Sequence, residues 1–199
     1  MVGKTVKIGV LALQGDVSEH IEAFATALRR QGCAEDSPVA EVRSPADLAG
    51  CAALAIPGGE STTISRLIDK NGLYEPIRNF KGGIFATCAG MILVATDVGD
   101  SRVHSLGLMD MTVDRNAFGR QRESFEADIP VEGLDGGPFH AVFIRGPVVT
   151  EARGDVRVLA RIDKGIVAVE KGTHMALAFH PELGGDFRFH ERFLKNLGI

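Results

Sequence analysis

The chain has 199 residues, enough for one domain with a sizeable core. Hydrophobic residues make up 45% and charged residues 24%, the balance of a folded globular chain and not a disordered one. A net charge of −4 lacks the basic excess of a nucleic-acid binder, no apolar stretch approaches bilayer length, and three scattered cysteines suit reduced thiols in a cytoplasm better than a disulfide framework.

The opening "MVGKTVKIGVLALQGD" has only a short apolar run and no cleavage signal, so it reads as a first strand and not a signal peptide. That strand, "VKIGVLAL", is almost continuously apolar, as expected when both sheet faces are covered. "QGDVSEHIEAFATALRRQG" follows as a helix. Asp16 is its expected N-cap with Glu19 three places on, and Gly32 is its stop. "CAALAI" is a second buried strand ending at the loop "PGGES", before a helix with Ile64, Leu67 and Ile68 on one face. "GGIFATC" is a third strand and "AGMILVAT" starts a helix directly after it. Alternating strand and helix predicts a largely parallel sheet flanked by helices.

The second half reads as strand-like pieces separated by glycine, proline and charge: "LGLMDMTVDRN", "ESFEADIPV", "HAVFIRG", "DVRVLARI", "GIVAVEKG" and "HMALAFHPE". A final amphipathic helix, "FRFHERFLKNLG", puts Phe189, Phe193, Leu194 and Leu197 on one side. There is no repeat or linker, and one α/β domain over residues 1–199 is the simplest organisation.

Cys88 stands where the third strand meets its helix, facing free N–H groups and the positive end of the helix dipole, the setting in which cysteine becomes nucleophilic. "ATCAG" has small residues, Ala86 and Gly90, two places either side of the thiol, the pattern of a nucleophile elbow. The N–H of Ala89 would then face a developing oxyanion. Burial as a small core residue remains the other reading of Cys88; Cys33 and Cys51 lack any such turn and read as structural. Among six histidines, His180 stands apart, ending "MALAF" and opening "HPE". In an extended segment Glu182 points to the same side as His180, and a carboxylate on one ring nitrogen leaves the other to take a thiol proton. A strand-end histidine beside a solvated glutamate is the bland alternative. His20 and His190 fall in helical stretches and read as surface residues, and no spacing suggests metal ligands. "PGGES" lies at the carboxyl edge of the sheet, where Gly58 and Gly59 let a backbone N–H approach a ligand and Ser61 is a plausible helix cap.

In this order, "PGGEST", "TCAG" and "FHPEL" resemble a class I glutamine amidotransferase domain. "GVLALQGDVSEHI", "PGGESTTISRLI", "DRNAFGRQRESFEADI" and "VFIRGP" narrow the resemblance to glutaminase subunits of pyridoxal 5′-phosphate synthase, over essentially the whole chain. A glutaminase subunit of another synthase, such as one making imidazole glycerol phosphate, should lack "RNAFGRQ". A subunit that had lost catalysis should not keep an intact cysteine, histidine and glutamate. The family implies a flavodoxin-like fold and hydrolysis of L-glutamine to glutamate and ammonia without a cofactor. By the same resemblance, Cys88 is the nucleophile, His180 and Glu182 complete a triad, and Gly59 and Ala89 form the oxyanion hole. Glutamine contacts fall to Gly59, Glu60, Ser61, Arg115, Ile144 and Arg145. The implied partner is the synthase subunit, which receives ammonia and whose docking turns the Gly58–Gly59 peptide inward. Gln14 is placed at that interface. Relatives carry glycine where this chain has Ala86, so a slightly altered corner with retained activity is expected, and "CAEDSPVAEV" looks longer than in relatives.

Overall fold

The first apolar run becomes β1 (Ile8–Leu11), every residue of it buried. The computed structural model describes residues 6–33, 38–118 and 124–199. β1 pairs in parallel with β2 (Val39–Val42) on one side and β3 (Ala53–Ile56) on the other. β4 (Gly83–Thr87) adds in parallel to β3, and β12 (His174–Leu177) to β4. The resulting order, β2-β1-β3-β4-β12, sends one crossover from β1 leftward and the next rightward. Such a switch point leaves a crevice beyond the carboxyl ends of the strands, because the loops there diverge. Continuous burial of β1, β3 and β4 explains why their sequences show no alternation.

Helices flank this block. α1 (Val17–Arg30) packs against α6 (Arg188–Asn196), and Phe24, Phe85 and Phe193 interlock edge to face between them and β4. α3 (Ser61–Lys70) packs against α5 (Ala89–Val94). Beyond β12 the sheet turns mostly antiparallel through β11 (Gly165–Lys171), β9 (Val148–Ala152) and β6 (Met109–Asp114). β10 (Arg157–Ile162) pairs with β11, and β5 (Ala95–Asp97) adds in parallel to β6. β7 (Phe125–Ile129) and β8 (Phe139–Phe143) make a separate ribbon.

All the expected strand pieces of the second half form. β2, β5 and β9 are additional. β2 is a partly exposed edge strand whose "VAEV" carries a charge, so its apolar signal is weak. "CAEDSPVAEV" and "RNAFGRQ" fall partly outside the described residues, at 34–37 and 119–121. No helix among the described residues is long and apolar enough to cross a membrane.

Candidate active site

β4 ends at Thr87 and α5 begins at Ala89, leaving Cys88 alone on the corner. Its φ of 49° and ψ of −106° are rarely adopted by a residue with a side chain, and such strain persists only where neighbours enforce it. Two contacts enforce it here. The Cys88 N–H donates to the carbonyl of Leu177 at 2.8 Å, tying the corner to β12. A Cβ on Gly90 would lie 2.1 Å from the Ile56 carbonyl oxygen, so only glycine lets α5 close onto the end of β3. Ala86 sits in regular register with Ile56 and Ala176, so its methyl belongs to the strand and leaves the corner to Cys88. The N–H of Ala89 is in the first helical turn, where no intrahelical acceptor exists.

His180 is brought to this corner by the segment after β12, its N–H donating to the Val142 carbonyl at 2.9 Å. The ring Nδ1 lies 2.8 Å from Glu182 Oε1. The pair does not meet across an extended strand as expected; residues 181–183 form a turn, with the Leu183 N–H donating to the His180 carbonyl at 3.3 Å. The turn, begun at Pro181, folds Glu182 back beneath the ring. A second carboxylate also reaches Nδ1: Asp16 Oδ2, at 3.2 Å. Asp16 occupies the N-cap position of α1 but makes no side-chain cap bond, because its carboxylate serves His180 instead. Burial alone would push the imidazole pKa down, yet the Asp16 and Glu182 carboxylates that accept from Nδ1, with the neighbouring Cys88 sulfur, push it up to about 12. The hydrogen bond to His180 in turn holds Asp16 below the usual carboxylate range. With Nδ1 committed to carboxylates, the other ring nitrogen is left for the thiol. Asp16, His180 and Glu182 also bring possible metal-ligating atoms within 4.8 Å of one another. Their contacts converge on one ring nitrogen at hydrogen-bond length, the arrangement of a shared N–H rather than of separate ligands.

Two expectations fail behind this site. His20 and His190, read as surface residues, are both fully buried. Helical period explains it: His20 lies one turn before Phe24, and His190 three residues before Phe193, each on the face packed against β4. That spacing was available in the sequence.

The glycine loop faces the thiol from β3. A Cβ on Gly58 would lie 2.4 Å from His180 Cε1 and 3.3 Å from Cys88 Cβ, so this glycine packs directly against both. The Gly58 carbonyl lies over Gly15, where a Cβ would come within 1.7 Å of its oxygen. Gly59 has φ +146°, and Gln14, exposed at the end of β1, accepts the Glu60 N–H on Oε1 at 2.9 Å. Ser61 is not the cap of α3. Glu60 is, accepting from the N–H groups of Thr62 and Thr63 at 3.1 and 2.6 Å. Burial opposes ionisation of Glu60, but these bonds and the Thr62 hydroxyl outweigh it and bring its pKa down to about 2.

These groups open into a cavity of about 780 Å³ lined by Gly59, Glu60, Ser61, Cys88, Ala89, Arg115, Ile144, Arg145 and His180. Glu182 stands behind His180 and outside the lining. The two arginines differ. Arg115 is paired with Asp100 and lies 3.8 Å from Glu60, while Arg145 makes no ion pair among the described residues and is exposed. Arg145 also has φ 49°, and the carbonyl of its neighbour Ile144 lies 3.9 Å from the Cys88 sulfur. Asp16, Gln14, Ile92, Asn116, Phe118 and Gly146 complete the lining and were not read as site residues from sequence, Gln14 having been placed at a partner interface.

A strand-to-helix thiol beside an imidazole and a buried carboxylate, at the carboxyl edge of a five-strand parallel block, defines the glutamine amidotransferase class. A crystal structure of a glutamine amidotransferase superposes with a TM-score of 0.84 at 45% identity, covering 96% of this chain and 99% of that one. The glutaminase domain of a Trypanosoma brucei protein, with acivicin bound, shares the fold at a TM-score of 0.58 and 13% identity, covering 98% of this chain and 94% of that one. The chain belongs to the SNO glutamine amidotransferase family, whose profile matches residues 10–198. A relative from Methanoregula boonei, named pyridoxal 5′-phosphate synthase subunit PdxT, is 85% identical over 98% of this chain and 100% of its own length. One of the same name from Methanosphaerula palustris is 64% identical over 98% of each chain.

Proposed function

We propose that the chain is the glutaminase subunit of a pyridoxal 5′-phosphate synthase, hydrolysing L-glutamine to L-glutamate and ammonia in one domain spanning 1–199. The observation that carries this reading is the strained Cys88 corner, packed across Gly58 from His180, whose Nδ1 is 2.8 Å from buried Glu182.

Cys88 attacks the side-chain amide carbon, and the oxygen takes up charge before the N–H groups of Ala89 and Gly59. His180, holding the thiol proton, passes it to the leaving nitrogen, and ammonia departs. Water activated by His180 then hydrolyses the thioester, regenerating the thiol. Glu182 keeps the ring oriented. Glu60, ionised at the cavity wall, suits the substrate's α-ammonium, and Ser61 flanks it. Arg145 is the free guanidinium for the α-carboxylate, with Ile144 beside the sulfur. Arg115, already held by Asp100, shapes the wall and adds positive field. Ammonia passes to the synthase subunit, whose docking sets the Gly58–Gly59 peptide. Three free thiols suit a reducing cytoplasm.

Glutamate release from purified chain, alone and with the synthase subunit, tests this. Low turnover alone, strong stimulation on mixing and none with Cys88→Ser are expected. Undiminished turnover of Cys88→Ser would refute the assignment, and equal rates with and without partner would refute the control by docking.

A further inference from the structure

Behind the site lies a titratable group that the reaction above does not use. His20, from α1, is fully buried, and its Nε2 is 3.0 Å from the Thr87 hydroxyl and 3.5 Å from Glu182 Oε1. Its Nδ1 has no hydrogen-bond partner among the described residues. The Glu182 side chain is fully buried as well, and its Oε2 is likewise unpartnered. A carboxylate taken wholly out of water is costly unless donors surround it, and His180 supplies just one.

We infer that His20 is a positioning residue for the glutaminase reaction: its Nε2–H, anchored on Thr87, holds the buried Glu182 carboxylate against His180. The tautomer follows from the surroundings. With the proton on Nε2, the N–H donates to the Thr87 oxygen and turns its positive edge to Glu182, while Nδ1 is left as an unmet acceptor. The opposite tautomer would bury an unmet N–H and aim a lone pair at a carboxylate. His20 stays neutral because burial outweighs the attraction of Glu182. Other ionisable groups around it are His180, Asp16 and Glu19, and the buried His190 ring lies 6.2 Å away between centroids.

Thr87 adds a reason for the arrangement, since it is peptide-bonded to Cys88. Thr87, His20, Glu182 and His180 therefore form a chain of contacts that starts beside Cys88, so the residue anchoring His20 is part of the nucleophile's own corner. Movement of the corner and rotation of the carboxylate are coupled through it.

This inference rests on the triad reading, and a double-mutant cycle separates the two. Steady-state glutaminase kinetics with the synthase subunit present, and thermal melting, are measured for His20→Leu, His20→Gln, Thr87→Val, Glu182→Gln and the His20→Leu/Glu182→Gln pair. Outer partners that orient metal-binding histidines are worth about ten- to a hundred-fold, and the lower end of that range is carried over to a catalytic histidine's carboxylate. His20→Leu is expected to lower kcat about ten-fold with KM for glutamine unchanged, as second-layer partners do. His20→Gln, whose amide N–H reaches a similar position, recovers most of the loss. Thr87→Val lowers kcat in the same direction. Adding His20→Leu to Glu182→Gln costs little more, because the histidine acts through the carboxylate. A wild-type kcat in His20→Leu, or losses that multiply fully in the pair, overturns the inference; if His20→Leu does not fold, a wild-type kcat in Thr87→Val or a ten-fold loss in His20→Gln does so. A wild-type kcat in Glu182→Gln overturns the triad reading instead.

Discussion

Substituting Gly58 by alanine separates fold from catalysis. The backbone there is not in the left-handed region, so an alanine is conformationally allowed. Its Cβ, however, would lie 2.4 Å from His180 Cε1. Carbon atoms pack at about 3.5–4.0 Å, so the ring or the loop must retreat by about 1 Å. Cε1 lies between the two ring nitrogens, so a displacement of that size disturbs both the 2.8 Å contact to Glu182 and the alignment with the thiol. A misplacement of about 1 Å costs on the order of 100-fold in rate. Expressed as transition-state stabilisation, that is about 2.7 kcal/mol. Overpacking of about 1–3 kcal/mol is offset only in part by the about 0.4–1 kcal/mol by which alanine restricts the unfolded chain. Gly58→Ala is therefore expected to melt somewhat below the wild type, to stay folded at assay temperature, and to release glutamate about 100-fold more slowly with saturating synthase. Activity within about three-fold of wild type would mean the ring is not pinned against this glycine, against the packing argument behind that figure.

Asp16→Asn removes one of the groups that raise His180, so the imidazolium is lost at lower pH and the alkaline limb of kcat/KM moves down; an unchanged pH profile counts against a role for Asp16. Because the His180 pKa rises from 6.5 to about 12 on folding, its stabilisation is fully present below 6.5 and fades as pH climbs through the folded value. Asp16 is depressed from 3.8, so its share is present above 3.8 and is lost as pH falls through its lower folded value; denaturant titrations across pH read both limbs. Arg145→Ala should raise KM for glutamine about ten- to a hundred-fold with kcat little changed, the worth of a charge-assisted hydrogen bond of about 1.5–3 kcal/mol. An unaltered KM removes Arg145 from the substrate wall. Gly90→Ala places a methyl 2.1 Å from a backbone oxygen and should destabilise by overpacking, seen as a lower melting temperature. The expected cost is about 1–3 kcal/mol.

Local signals were sufficient for the alternation of strand and helix in the first half, the corner at Cys88 and the glycines beside it. Buried parallel strands are continuously apolar, and a thiol between such a strand and a helix has few alternatives. Helical period would also have shown His20 and His190 to face inward, each one turn or less from a core phenylalanine. Other features had no local signature. Asp16 reads as a cap because its neighbours in sequence form a helix, and its contact with a residue 164 positions away exists only once β1 and β12 lie in one sheet. Arg115 and Arg145 are alike as letters; pairing with Asp100 is what separates them. Sequence alone thus determined which elements form and which reactive groups are present, because periodicity and turn chemistry act over a few residues. Tertiary structure decided which groups share a proton, since hydrogen bonds and fields act over a few ångströms of space, whatever the distance along the chain.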